Sequence, residues 1–555
     1  MSNIGKSSLV RRVAAAAGAL ALGLAGLAGA AAAANAADPV ILQGNIQAGQ
    51  PTTLTIHKYS GLEASTHDNG LPKDIDASHQ PLQGVKFNIT PVTAKGTQQL
   101  NANAIDTDPK AWDLISGPDG KTPLDVTTVT EANGYTFGPS IEVTTDASGI
   151  GRLDNGTGDV PTLPHGLYLV QEGDDTGNNN IVSKTAPFLV TLPLPKGAAA
   201  SIDNGSWIYD VNVYPKNQLL AGPVKTIKPE NPTDGQTGLK IGDKVQYTID
   251  QIVPSLNAGE KYTSASIFDY LNPDELQFAN TVSVQVGTKD DEGNFTGSAA
   301  PYTYDAANAA WNLTATEPGA NPGDPSTINL TAGQVVRVVF TAKVLKVTES
   351  GVVDNAPWNN QPGQPGYGSE FNGKKVPGTT TPHSYWGQLQ VTKVVQGNTS
   401  QKLAGAEFAV AELPATQNTC SPTAPAAADA VATGTSDDNG IVQWNSTPSN
   451  PLGLFVANSD TDPNPADFSK DYCLYETKAP AGYILKDAPQ KVTITPGTTL
   501  TAGANDITVE DEQQNHPNLP LTGAAGTVVM TLGGIALVAA GGAAYAISRK
   551  KQSAR

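Results

Sequence analysis

Leu389-Gln390-Val391-Thr392-Lys393-Val394-Val395 is the stretch that decides the fold. Its alternation puts Leu389, Val391, Lys393 and Val395 on one face of a β-strand, so a lysine stands among three core positions. Working outward, the same texture recurs at Leu54–Tyr59, Trp207–Lys216, Lys244–Ile252, Thr263–Phe268, Val282–Val286 and Val335–Val344. Short Val/Ile/Thr/Tyr segments are punctuated by Asn, Asp, 56 glycines and 41 prolines. No long helical-period run occurs away from the chain ends. The chain therefore reads as all-β, and 555 residues suggest three or four domains.

The two ends are different. Lys6, Arg11 and Arg12 precede an apolar run that closes on Ala34-Asn35-Ala36, the pattern of a secretory signal peptide over 1–36. Ala524 to Ile547 carries no charge and precedes Arg549, Lys550, Lys551 and Arg555. Such a run is long enough to span a bilayer with its basic end on the cytoplasmic side. Export makes a Cys420–Cys473 disulfide the expectation for the chain's two cysteines. A net charge of -18 argues against a nucleic-acid partner. With 6 histidines in no metal-spaced pair and no Gly-x-Ser-x-Gly, a hydrolase site finds no support, and no cofactor or metal is expected. The acidic turn Asp290–Asn294 lacks the spacing of a calcium loop and reads as a solvated hairpin.

Between the ends, the segments group into domains at 37–218, 219–386 and 387–516, with 517–555 as the tail. The first contains a polar excursion over Thr93–Gly120 with helix expected around Ala111–Ile115. It closes on Trp207-Ile208-Tyr209-Asp210-Val211-Asn212-Val213-Tyr214-Pro215-Lys216, in which Trp207, Tyr209, Val211 and Val213 would share one strand face. Pro215 cannot donate to a ladder, so pairing is expected to stop there and leave Lys216 accessible at a domain edge. In the second domain Lys225 shares a face with Ile227, which turns that lysine toward the core.

Three motifs carry a family resemblance. Leu519-Pro520-Leu521-Thr522-Gly523, followed by the apolar run and basic tail, resembles the sorting signal of Gram-positive surface proteins. Trp207, Val211, Val213, Tyr214, Pro215 and Lys216 resemble the pilin motif of sortase-assembled pili. Tyr472-Cys473-Leu474-Tyr475-Glu476-Thr477-Lys478-Ala479-Pro480-Ala481-Gly482-Tyr483 resembles the E-box of pilins and CnaB-type domains. The resemblance implies tandem Ig-like and CnaB-type β-sandwiches. It also implies a shaft pilin in which a class C sortase cuts after Thr522 and transfers it to Lys216 of another copy. The expected partners are then identical subunits, pilus-specific and housekeeping sortases and, at the base, peptidoglycan. The location is a wall-anchored surface fimbria supporting adhesion, with a transient membrane tether, and the chain is a structural protein rather than an enzyme. Minor pilins and a host receptor are further expected partners, which the sequence does not name.

The resemblance implies internal isopeptide bonds as well, formed once and without turnover. Carried over by position, they join Lys225 to Asn355 with Asp269 as the acid, and Lys393 to Asp511 with Glu476 as the acid. Lys228 competes with Lys225. Asp511 departs from the family's usual asparagine, and Asn505 or no bond are its alternatives. The first domain repeats the frame, with Lys58 in a strand and Glu172 in Tyr168-Leu169-Val170-Gln171-Glu172. Unless Asn212 or Asn217 serves, its last strand offers no equally placed partner, and the expectation is that it makes no bond. A monomeric wall-anchored adhesin or a minor pilin is the alternative function.

Overall fold

The computed structural model describes residues 46–514 apart from 63–68, 117–123, 154–161, 175, 197–206, 229–238, 316–325 and 462–464. The expected signal peptide, Leu519–Gly523 and the apolar run after it lie outside the described residues. Among the described residues no helix is long and apolar enough to cross a membrane. Among the described residues strands dominate, with two short α-helices in the first domain.

The first domain is built on β1 (Thr53–His57), β2 (Tyr59–Ser60), β3 (Lys86–Lys95), α1 (Ala102–Thr107), α2 (Pro109–Ile115), β4 (Gly166–Glu172), β5 (Ile181–Ser183), β6 (Asp210–Val213) and β7 (Lys216–Leu219). Gly166 to Val170 of β4 are all buried because both faces of its sheet are covered. Phe87, Ile89, Tyr168 and Val170 enter one core. Val92, Leu167 and Leu169 face the other way, onto Ala111 and Trp112 of α2. The polar excursion thus folds back as a lid on the sheet. The helix expected there forms as α2, with Asp108 capping Lys110 N and Pro109 in the first turn.

The closing strand of this domain differs from the sequence expectation. It breaks at Tyr209 into Trp207–Ile208, antiparallel to Leu194–Pro195, and β6, parallel to β1. Trp207 therefore packs on Trp112 in the second cluster while Val211 enters the first, and the two do not share a face. Nor does pairing end at Pro215. The chain resumes as β7, parallel to β2 and antiparallel to β5. A proline removes one donor only: Pro215 O and Asn217 O still accept from Tyr59 N and Gly61 N.

The following sandwich comprises β8 (Val224–Ile227), β9 (Lys244–Ile252), β10 (Ala265–Tyr270), β11 (Leu276–Lys289), β12 (Val335–Val344), β13 (Val352–Asp354), β14 (Gly366–Phe371) and β15 (Lys374–Pro377). One sheet runs β8-β9-β12-β11 and ends on Phe295–Ala299; the facing sheet ends β10-β14-β15. Val338, Phe340 and Ala342 point inward from the central β12, opposite Ile267, Trp311 and Tyr367. Arg337 points outward and grips Asp250 with two bonds of 2.7 Å.

The last sandwich starts on β16 (His383–Val395) and contains β17 (Glu407–Glu412), β18 (Leu452–Ser459), β19 (Lys470–Lys478) and β20 (Asp506–Asp511). β16 is a single strand serving two sandwiches. Its first residues pair with β13 and β18, its later ones run parallel to β20. One continuous core joins both sandwiches around it. Gly387 sits at the crossing, where a β-carbon would lie 2.0 Å from Thr495 O, so only glycine lets the two backbones approach. Cys420 and Cys473 form a disulfide, as export predicts.

Candidate functional site

Three lysines with no exposure are buried one in each domain, each beside a carboxyl group. Strand alternation places each of them there, and each site draws its members from strands far apart in sequence.

In the middle sandwich, Lys225 of β8 lies 2.7 Å from Asp269 Oδ2 of β10, both side chains fully buried. Asn355, just past β13, donates to the same Asp269 oxygen at 3.1 Å. The rings of Tyr367 and Tyr247 cover the ammonium at 3.8 and 5.6 Å. Burial pulls the amine down to about 8 against the attraction of Asp269, and burial pushes the Asp269 carboxyl up against the same partner. Asp269 Oδ1 has no hydrogen-bond partner. Burial thus shifts both groups toward their neutral forms, and Lys225 Nζ and Asp269 Oδ1 keep unspent bonding capacity. Lys228, the competing candidate, is exposed.

In the last sandwich, Lys393 touches Asp511 Oδ1 and lies 3.1 Å from Glu476 Oε2. Parallel pairing sets Lys393 opposite Val509, so Asp511 falls two residues along on the same face. Glu476 follows Tyr472 and Leu474 inward along β19, as alternation requires. Burial pushes its carboxyl up to about 7; Lys393 opposes this and Asp511 adds to it. Asp511 has no hydrogen-bond partner on either oxygen. Asn505 is occupied elsewhere, donating to Gln388 O at 2.9 Å and Thr499 O at 3.1 Å and accepting from Thr501 N.

The first domain holds a third set that the sequence reading set aside. Lys58 Nζ is 3.0 Å from Glu172 Oε2 and donates at 2.5 Å to both Asn217 Oδ1 and Thr185 Oγ1. Asn217 Nδ2 donates to Glu172 Oε1 at 2.6 Å. The expectation that this domain lacks a well-placed partner is corrected by β7, which carries Asn217 inward. The signal was present in the residue after Lys216, and the assumption that pairing ends at Pro215 concealed it. Asn212, the other option, holds His57 Nε2 at 2.9 Å instead.

Lys216 occupies the opposite face of that same strand. It is 8% exposed, not the open edge lysine expected, because β2 and β5 flank its strand. Around it, Tyr214 is stacked on His57 at 4.5 Å and covered by Lys73 Nζ at 4.4 Å. Among the described residues no cluster of three or more His, Cys, Asp or Glu is placed to hold a metal ion.

These arrangements sit in a chain with clear relatives. Residues 49–218 match the Gram-positive pilin subunit D1, N-terminal domain, and residues 511–553 match the LPXTG cell wall anchor motif. The chain is 30% identical to a fimbrial subunit type 2 of Actinomyces naeslundii, over 99% of this chain and 98% of that one. It belongs to the sortase-assembled Gram-positive fimbrial pilins. The pilin is also 27% identical to a fimbrial subunit type 1 of Actinomyces viscosus, over 90% and 91% of the two chains. Its fold is similar to that of the full-length major pilin SpaD from Corynebacterium diphtheriae. That likeness has a TM-score of 0.54 at 24% identity and covers 86% of this pilin and all of SpaD. The pilin is thus a cell-wall-anchored structural subunit of a surface fimbria.

Proposed function

We propose that this pilin is the shaft subunit of a covalent fimbria in which Lys216 of one copy is joined to Thr522 of the next. A class C sortase cleaves between Thr522 and Gly523 and holds the threonyl group as a thioester. The Lys216 amine displaces the enzyme's cysteine and an amide forms. The product is open-ended, since the joined surfaces differ. A housekeeping sortase transfers the last subunit to peptidoglycan. The observation that carries this reading is the pairing, in one chain of a fimbrial family, of the Leu519–Gly523 signal with Lys216 at the close of the matched first domain. Replacing Lys216 by Ala is expected to abolish high-mass ladders on denaturing gels while monomer still reaches the wall. Unchanged ladders would end the proposal.

The three buried sites are read as self-forming isopeptide bonds. In the middle domain the neutral Lys225 amine attacks the Asn355 side-chain carbon. Protonated Asp269 polarises the amide and hands a proton to the departing ammonia. Glu476 serves Lys393 and Asp511 likewise, with water leaving, and Glu172 serves Lys58 and Asn217. Each acid ends as it began, and each site reacts once. The geometry favours this over plain ion pairs because buried carboxyl oxygens at the middle and last sites have no hydrogen-bond partner, a cost that covalent closure relieves.

A further inference from the structure

We propose that the Ile484–Leu485 loop of the last domain docks on the first domain of the next copy of this chain, against Leu62 beside that copy's Lys216. The inference rests on the head-to-tail linkage proposed above and adds the non-covalent contact that sets the angle of each joint.

The loop is fixed at the point where the chain leaves the last domain. Ile484 N donates to Glu512 O at 3.0 Å, Gln514 N donates to Gly482 O at 2.8 Å, and Tyr483 bridges Gln513. Residues 512–514, the last described ones, are therefore held against this loop. Ile484 and Leu485 remain 49% and 38% exposed there. With Gln396, Lys486, Glu510 and Glu512 they line an open pocket of about 400 Å³.

Thr522 lies eight residue steps beyond Gln514. Fully extended they reach at most about 29 Å, so the acceptor lysine of the next copy must lie within that radius of the loop. On the acceptor side, the Lys216 stem runs past Gly61: a β-carbon on Gly61 would sit 3.5 Å from Lys216 Cδ. Leu62 follows directly and is 47% exposed. Among the described residues, Leu62 is the one exposed large hydrophobic of the first domain, and Ile484 and Leu485 are those of the last. Both domains keep their apolar surface for the two ends of the same link. A tether this short raises the local concentration of the two patches to the millimolar range, so a small apolar contact is enough to hold the joint.

The test uses the full chain in a pilus-forming host carrying Leu62→Cys and Ile484→Cys together. Fibres digested without reduction are expected to yield a peptide pair joined by a disulfide between the introduced thiols. It should be absent from the same chain carrying Lys216→Ala and from fibres pairing Leu62→Cys with Val282→Cys. Polymerised fibres lacking that disulfide, or an equal yield from the Lys216→Ala monomer or the Val282→Cys fibres, would overturn the docking proposal. If the Ile484→Cys chain fails to polymerise, Leu485→Cys takes its place with the same readout. Loss of ladders from the unmodified chain, in contrast, would remove the linkage reading and not this contact alone.

Discussion

Lys216 and Asn217 are consecutive residues that serve opposite faces of one short strand. Lys216 runs along Gly61 and stays 8% exposed, while Asn217 turns the other way to Lys58 and Glu172. The acceptor proposed for the intermolecular reaction is thereby attached to a member of an internal triad. Closing Lys58 onto Asn217 would tie that strand to the tyrosine strand beside it by more than hydrogen bonds.

Intact mass checks all three internal bonds. Beyond the about 2 Da lost to the Cys420–Cys473 disulfide, native, unreduced subunit is expected to be lighter than its processed sequence by about 17 Da for each Lys–Asn bond and about 18 Da for the Lys–Asp bond. Asn217→Ala should remove one ammonia-sized deficit and leave the other two. A wild-type mass lacking any deficit at the first domain would show Lys58 to be an ion-paired lysine and nothing more.

The acid at each site should control closure. Glu476→Gln keeps the size and removes the titrating group, and the Lys393–Asp511 deficit is expected to vanish. In wild type refolded from the unbonded state, closure driven by protonated Glu476 should slow as pH rises through about 7, where that group ionises. Mass against time at pH 6 and pH 8 would decide it. Equal extents of closure in the Gln variant would exclude Glu476 from the chemistry.

An unbonded middle domain should be stabilised by alkali. Asn355→Ala retains the Lys225–Asp269 pair without the bond. Lys225 is depressed to about 8 when folded against 10.5 as an ordinary lysine, so its burial penalty is complete below pH 8. The unfolded chain binds the extra proton between those values, so stability must rise with pH across that window. The gain is on the order of 3 kcal/mol at most. A Tm for Asn355→Ala that falls steadily from pH 8 to 10 would contradict the depressed amine.

Gly387→Ala should separate the sandwiches that share β16, since its β-carbon would overlap Thr495 O. A lowered Tm is expected, with a second transition as the two cores part. Gly405→Ala has open space for its β-carbon and carries only the strain of a positive φ of 82°, so it should keep a single transition. Identical melting of the two would mean that β16 does not couple the domains.

Much of this was legible in the residues. Alternation around Lys225, Lys393 and Glu476 was enough to aim all three inward, because strand period depends on local pattern alone. The disulfide followed from export and a count of two cysteines. What sequence could not supply was pairing. Pro215 carries a real local restriction, yet its own carbonyl and that of Asn217 continued the ladder, and Asn217, named only as an exception, was not expected to find Lys58. The break at Tyr209 was hidden for the same reason: Trp207 finds Trp112 on a helix almost a hundred residues earlier, and no local signal marks that contact. The sharing of β16 was equally invisible, since a thirteen-residue strand reads the same whether one core or two lie beside it.

The place of β16 also fixes where a pulled fibre could lengthen. With the proposed bonds closed, tension entering at Lys216 passes along the backbone to Lys225 and crosses to Asn355. It then follows the chain to Lys393, crosses to Asp511 and leaves toward Thr522. The first domain, ahead of Lys216, carries no load. Residues 226–354 and 394–510 are bypassed. The stretch 356–382, which contains β14 and β15, is not. Its ends are held by non-covalent contacts: the β13–β16 ladder, the Asn355 N to Pro382 O bond, His383 Nδ1 on Asp354 Oδ1 at 2.6 Å, and Thr380 Oγ1 bonded to the Lys225 backbone. If that clasp yields, about 90 Å of folded slack is released per subunit with no covalent bond broken. The shaft would then be a rod with a built-in shock absorber, located in the middle domain's second sheet.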